Sequence, residues 1–146
     1  MKISEEIKKL DTTSYKDQSA IWEELKSRFN RKTLIYELVK HYYEFKKWQG
    51  RCFILYYGTV VARESPEAIK IAIRALSDKA SLVRYRACGL LAYSLDKTIL
   101  PYLQEVAENS DEKTKSHAFA AIDAINNQNH NFFIDRNHSG SIWEVN

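Results

Sequence analysis

Apolar residues recur at helical spacing along most of the chain. Ile21, Leu25 and Phe29 fall on every fourth position with Trp22 beside Ile21, and Leu34, Ile35, Leu38, Val39, Tyr42, Phe45 and Trp48 form a second stripe. Amphipathic helices are therefore predicted over 15–29 and 33–48. Ser14 with Asp17 three residues on has the spacing of a capping box and starts the first; Gln49 and Gly50 end the second. Ahead of both, Ser4 caps a short helix over 5–10, with Glu5 and Glu6 near its positive end, and Asp11, Thr12, Thr13 and Ser14 break it. Phe53, Ile54, Leu55, Tyr56 and Tyr57 are consecutive, a run that fits either a strand or a helix buried on most sides, and the segments that follow favour a helix over 51–63.

Downstream the pattern becomes periodic. Ser65, Pro66 and Glu67 supply a capping serine, a proline at the first helical position and an acid in the first turn, and Ile69, Ala72, Ile73 and Leu76 form the buried stripe. After the turn Ser77-Asp78-Lys79, a partner helix carries Val83, Ala87, Leu90, Leu91 and Ser94 on one face. A second pair follows, with Ile99, Leu103 and Val106 in a helix holding Pro101 in its first turn, and Lys115, Ala118, Ala121, Ile122 and Ile125 in its partner. The second helices superpose at an offset of 31, which sets Arg84 on Lys115 and Ala87 on Ala118; an offset of 33 going backwards sets Arg84 on Arg51 and Ala87 on Ile54.

The central stretch, with Leu76, Asp78, Val83, Arg84 and Ala87 at these spacings, resembles the turn and second helix of a HEAT repeat. The match is good there, fair over 97–126, where Lys115 replaces the motif arginine, and weak over 34–64, where Gly50 replaces its valine; it covers roughly two-thirds of the chain. The short period resembles the compact bacterial HEAT-like variety. The resemblance implies an all-α chain, a short right-handed superhelix of antiparallel helix pairs, in one domain: N-terminal helices over 1–32, about three pairs over 33–126, and a tail over 127–146. It also implies that Arg84 bonds a turn aspartate of its own or a neighbouring repeat, here Asp78. In the tail, Phe132, Phe133, Ile134 and Ser141, Ile142, Trp143 flank an Asn and Gly turn, which reads as a β-hairpin or as an extended tail laid over the last repeat.

Composition narrows the function classes. The chain has 146 residues, 45% of them hydrophobic, with only four Gly and two Pro, which suits one helical domain rather than a disordered or turn-rich β protein. The uncharged stretch 52–62 is well short of the roughly 20 residues of a membrane span, and the acidic start is unlike a secretory signal, so a cytoplasmic protein is expected. Cys52 and Cys88 form no paired-cysteine motif and read as buried residues or free thiols. The net charge of +3 is mild, but seven Lys/Arg lie between Lys26 and Lys47 against Glu37 and Glu44, while from Lys97 onward four bases face seven acids.

No Gly-rich phosphate loop, nucleophile elbow or His-Glu-x-x-His is present, so neither enzymatic activity nor a cofactor is expected. His130, Asp135 and His138 have ligand chemistry, but a polar loop accounts for them and no metal is assigned. The helix registers place Cys52, Phe53, Tyr56, Thr59 and Val60, then Tyr85, Arg86, Gly89, Ala92 and Tyr93, then Ser116, His117, Ala120, Asp123 and Ala124 on the outward face of the second helices. Phe53, Tyr56, Tyr85, Arg86, Tyr93, His117 and Asp123 are the candidate partner-binding residues, an aromatic and Arg cluster of the kind interfaces favour. The competing expectation is that the N-terminal helices or the tail cover this face. In size and architecture the chain resembles the helical immunity proteins of bacterial polymorphic-toxin and contact-dependent growth inhibition systems, which implies a monomer that binds and occludes a cognate toxin domain in a heterodimer. The alternatives are a nucleic-acid-binding HEAT-like protein, motivated by the basic segment, and a general HEAT scaffold or chaperone subunit.

Overall fold

Side chains that accept hydrogen bonds from free backbone N–H groups decide where several helices start. Ser14 accepts from Asp17 N, Asn30 from Lys32 N and Thr33 N, Ser65 from Ala68 N, and Asp111 from Thr114 N. The computed structural model describes residues 2–146. Its α-helices are α1 (Ile3–Ile7), α2 (Tyr15–Arg28), α3 (Arg31–Lys40), α4 (Trp48–Gly58), α5 (Pro66–Ala75), α6 (Ser81–Ser94), α7 (Leu100–Asn109) and α8 (Glu112–Asn126), with short 3-10 turns between several of them. The chain is all-α: no strand occurs among the described residues, and no helix there is long and apolar enough to cross a membrane.

The helices associate as successive neighbours joined by short turns. α3 packs on α4, α5 on α6 and α7 on α8, while α6 also packs on α4 and α8. The apolar stripes meet in one continuous core, in which Leu34, Ile35 and Leu38 of α3, Ile54 and Leu55 of α4, Val83, Leu90 and Leu91 of α6, and Ile125 of α8 are fully buried. Ala87 and Ala118, matched by the repeat offset, are also fully buried, and their small side chains let the helices approach closely. Ile69 and Ile73 of α5 are only partly buried, because Ala68, Ile71, Ala72 and Ala75 form the innermost face of that helix.

Two N-terminal boundaries differ from the sequence reading. Ser4 lies inside α1, and the capping position falls on Lys2. The helix expected over 33–48 is two elements, because α3 stops at Lys40 and Tyr42–Glu44 form a 3-10 turn. Asp11 fixes the course of the chain after that turn. Its carboxylate accepts from Lys46 N at 2.8 Å and Lys47 N at 3.0 Å, donors that a continuous helix would turn back on its own carbonyls. Trp48 therefore opens α4 instead of closing α3, and Gly50 lies in the first turn of α4 instead of ending a helix. Glycine is needed there because a Cβ would stand 2.6 Å from Asp11 Oδ1 and 2.8 Å from Phe45 Cδ2.

An arginine–aspartate ladder ties consecutive pairs along one edge. Arg51 donates to both oxygens of Asp78, at 2.7 and 3.2 Å, and Arg84 donates to Asp111 at 3.2 Å; in each case the arginine precedes its partner by 27 residues. Arg84 reaches Asp78 only at its backbone carbonyl, at 2.7 Å, and also donates to Thr114 Oγ1. The expected pairing of Arg84 with the Asp78 carboxylate is thus shifted by one repeat, because Arg51 holds that carboxylate. Arg51 and Asp78 are both largely buried, so each is the other's charge compensation.

The C-terminal segment forms no hairpin. His130–Phe133 are a 3-10 turn, and the Asp135 carboxylate then accepts from Ser139 N, Gly140 N and Ser141 N, consuming donors that a strand ladder would use. Gly140 sits at a φ of 101°, the left-handed region that this tight wrap requires. The remaining residues run extended, with Trp143 N donating to Asn131 Oδ1, and the backbone oxygen of Asn146 meets Arg31 at the start of α3. We refer to 134–146 as the strap.

Gly50→Ala tests the Asp11 junction. Alanine ordinarily favours a helix interior by about 1 kcal/mol over glycine. Here overpacking against Asp11 and Phe45 should reverse the sign, with a net loss of about 1–3 kcal/mol in urea-induced unfolding. A stabilised variant would show that the junction relaxes freely.

Candidate functional site

α4, α6 and α8 present their outward residues on one face, and the strap lies across much of it. Phe133 is buried against Gly89, where a Cβ would come within 3.2 Å of its ring and 3.6 Å of Trp143. Trp143 packs against Tyr93, His130 and Phe133 with ring centroids 5.6–6.0 Å apart. Arg63 lies 4.0 Å over the Tyr93 ring and donates to the Tyr93 carbonyl. His138 meets Asp123 at 2.6 Å and stacks on Phe132, and Arg136 donates to Ser116 Oγ at 3.0 Å and to His117 Nδ1 at 2.9 Å.

The seven candidate residues therefore do not form one open patch. Tyr93, His117 and Asp123 are engaged by the strap or the turn before it. Tyr85 packs on His117 and Phe133 along the boundary. Phe53, Tyr56 and Arg86 border a separate cleft. The smaller outward positions are also covered: Cys52, Thr59, Gly89, Ala92, Ala120 and Ala124 are buried. They are small where another element comes close, as Phe133 does at Gly89.

The cleft, about 740 Å³, lies between the start of α2 and the faces of α4 and α6. Trp22, 2% exposed, forms its packed base with Phe53 and Tyr57 at centroid distances of 5.2 and 4.7 Å. Tyr15, Trp48, Tyr56 and Leu82 stand exposed around it, at 82%, 43%, 52% and 42%. That concentration of large apolar side chains at one concavity is unlike scattered surface leucines. Of the four, helical register places only Tyr56 on the binding face. The tryptophans and tyrosines are anchor candidates by residue type, but helical spacing favours the core for Trp48, and Tyr15 and Leu82 sit in first turns, where periodicity says least. Arg86 closes the cleft on the strap side, its guanidinium 5.0 Å from the Tyr56 ring centroid and 5.5 Å from that of Tyr85.

Charge is largely consumed within the fold. In the basic segment Lys26 pairs with Glu23 at 2.8 Å, Arg28 with Glu6 at 2.7 Å and Glu24 at 3.1 Å, and Lys32 with Glu64 at 2.7 Å; Arg31 holds Asn146. Burial pushes the Cys52 thiol up to about 11 and the Cys88 thiol up to about 12, which keeps both protonated and poorly nucleophilic at neutral pH. His130, Asp135 and His138 each serve a different contact: His130 meets Arg63 and the Trp143 carbonyl, Asp135 the turn amides, and His138 Asp123. No group of three His, Cys, Asp or Glu side chains able to hold a metal ion occurs among the described residues.

Compared with protein-family models, with curated proteins and with solved structures, the chain matches none.

The strap contact at His117 has a pH dependence. Burial, with the Arg136 and Lys113 cations nearby, holds the imidazole below its ordinary value of 6.5. Because arginine only donates, Nδ1 must be the unprotonated acceptor. As pH falls the unfolded chain takes up the proton first, so the stability from neutral His117 is complete above about 6.5 and is lost as pH falls through the depressed value. The melting temperature should therefore fall more between about pH 7.5 and about pH 5.5 in the parent than in His117→Gln, whose amide oxygen can still accept from Arg136. Parallel curves would remove His117 from the account.

Proposed function

We propose that this chain is a non-enzymatic protein-binding module that docks its partner in the cleft between α2, α4 and α6. The observation that carries the reading is the ring of exposed Tyr15, Trp48, Tyr56 and Leu82 around one concavity with Arg86 at its edge. Aromatic and arginine side chains at a rigid, partly desolvated site are what binding hot spots are made of. The packed base of Trp22, Phe53 and Tyr57 keeps the site preformed, which lowers the entropic cost of association.

The specific partner proposed is the toxin domain of a bacterial contact-dependent or polymorphic-toxin system, held in a one-to-one complex with its active site occluded. The HEAT-like spacing of Asp78, Val83, Arg84 and Ala87 and the small size of the chain support this choice by resemblance. Nucleic acid is the weaker reading. Lys26, Arg28 and Lys32 are already paired with carboxylates, which reduces the cationic surface that the basic segment offers a phosphate backbone.

The decisive experiment mixes the chain with the product of the adjacent gene, measures the complex by calorimetry, and scores growth rescue. Trp48→Ala and Tyr56→Ala should each weaken binding by about 2 kcal/mol, while Lys70→Ala, at an exposed ion pair on α5, should leave it unchanged. Tight binding and rescue that survive combined replacement of Trp48, Tyr56, Leu82 and Arg86 by alanine would move the site elsewhere.

A further inference from the structure

Among the described residues, arginine side chains are, with two exceptions, supplied with acceptors. Arg28, Arg31, Arg51, Arg63, Arg84 and Arg136 each donate to a carboxylate, a carbonyl, a hydroxyl or a ring nitrogen. Arg74 is exposed and rests over Tyr43. Arg86 alone is partly buried and has only aromatic faces, Tyr56 and Tyr85, beside its guanidinium. Those rings hold the planar fork in place without satisfying any of its five N–H donors.

Among the described residues no carboxylate forms an ion pair with Arg86, although Glu144 and Asn146 line a small pocket with it. Glu23, across the cleft, is paired with Lys26. Cys52 is a further titratable neighbour beside the two tyrosines, and burial keeps its thiol neutral. A preoriented cation lacking an acceptor, at the edge of an apolar cleft, is complementary to one anion carried beside an apolar group. The planar fork fits the two oxygens of a carboxylate.

We propose that Arg86 is the receptor for a single carboxylate on the protein partner, carried by a segment whose adjacent apolar side chain packs against Tyr56 and Trp48. This deepens the docking reading and rests on it. One such acidic contact, absent from a neutral segment of the same shape, would supply specificity, because an incorrect partner would cover Arg86 without satisfying it. A phosphate-bearing nucleic acid is the less fitting occupant, since among the described residues the cleft offers one free cation and Glu23 stands on its rim.

The test uses the full chain, isotopically labelled for NMR, and three probes: indole-3-propionate, its neutral amide indole-3-propionamide, and uridine monophosphate. The acid should shift the Arg86 side-chain N–H and the Trp48 and Tyr56 resonances, and bind roughly fivefold to tenfold more tightly than the amide. In Arg86→Gln the two should bind equally, and Arg86→Lys, which keeps the charge but not the fork, should lie between. Equal binding of acid and amide to the parent would overturn the carboxylate receptor while leaving the apolar cleft intact as a docking site. A preference that persists in Arg86→Gln, or no shift with either indole probe, would also overturn it. Tighter Arg86-dependent binding of the nucleotide would replace it with a phosphate site. The acid-to-amide comparison on the parent needs no variant and stands even if a substitution unfolds the chain.

Discussion

α6 has almost no solvent face, and the arrangement of the other elements follows from that constraint. Val83, Ala87, Leu90 and Leu91 are buried, and so are Cys88, Gly89 and Ala92 at other angles around the helix axis. α4, α5 and α8 cover three sides, and the aromatic turn at Phe133 covers the fourth. A helix surrounded in this way must alternate bulk with near-absence of bulk: leucines fill the space between helix pairs, and glycine and alanine accept rings pressed against the backbone. Only its N-terminal part, with Leu82, Tyr85 and Arg86, emerges far enough to meet another molecule.

That geometry explains which parts of the structure were legible in the sequence. Caps are local, so Ser14, Ser65 and Pro66 marked helix starts correctly, and the spacing of Ala87 and Ala118 placed two fully buried contacts. The new course of the chain after the 3-10 turn was illegible because the contact that fixes it, the Asp11 carboxylate at Lys46 N, comes from 35 residues away and leaves the apolar stripe undisturbed. The candidate face was half legible. The register brought Phe53, Tyr56, Tyr85 and Arg86 to one side of the molecule, but periodicity cannot say which residues a later segment will cover. Tyr93, His117 and Asp123 satisfy the helical pattern equally well whether they face solvent or the strap.

Electrostatics divides the molecule in a similar way. On one edge Arg51 and Arg84 are committed to turn aspartates, and in the N-terminal third Arg28 and Lys32 find carboxylates on α1, on α2 and in the turn before α5. Such pairs contribute little individually where they are exposed, but they cancel the local field that the linear sequence suggests. The uneven charge visible along the chain is therefore a poor guide to the surface, and one arginine without an acceptor says more than seven bases counted in a row.

The strap changes the topology of the energetics. In an open array of helix pairs each unit touches only its neighbours, so ends can fray independently and stability grows unit by unit. Here the segment that leaves α8 crosses the middle of the array at Gly89 and Tyr93 and finishes beside Arg31 on α3. The last helix pair and the first are thereby mechanically joined, like the ends of a drawn belt. Release of the strap would therefore loosen contacts both at the middle of α6 and at the start of α3.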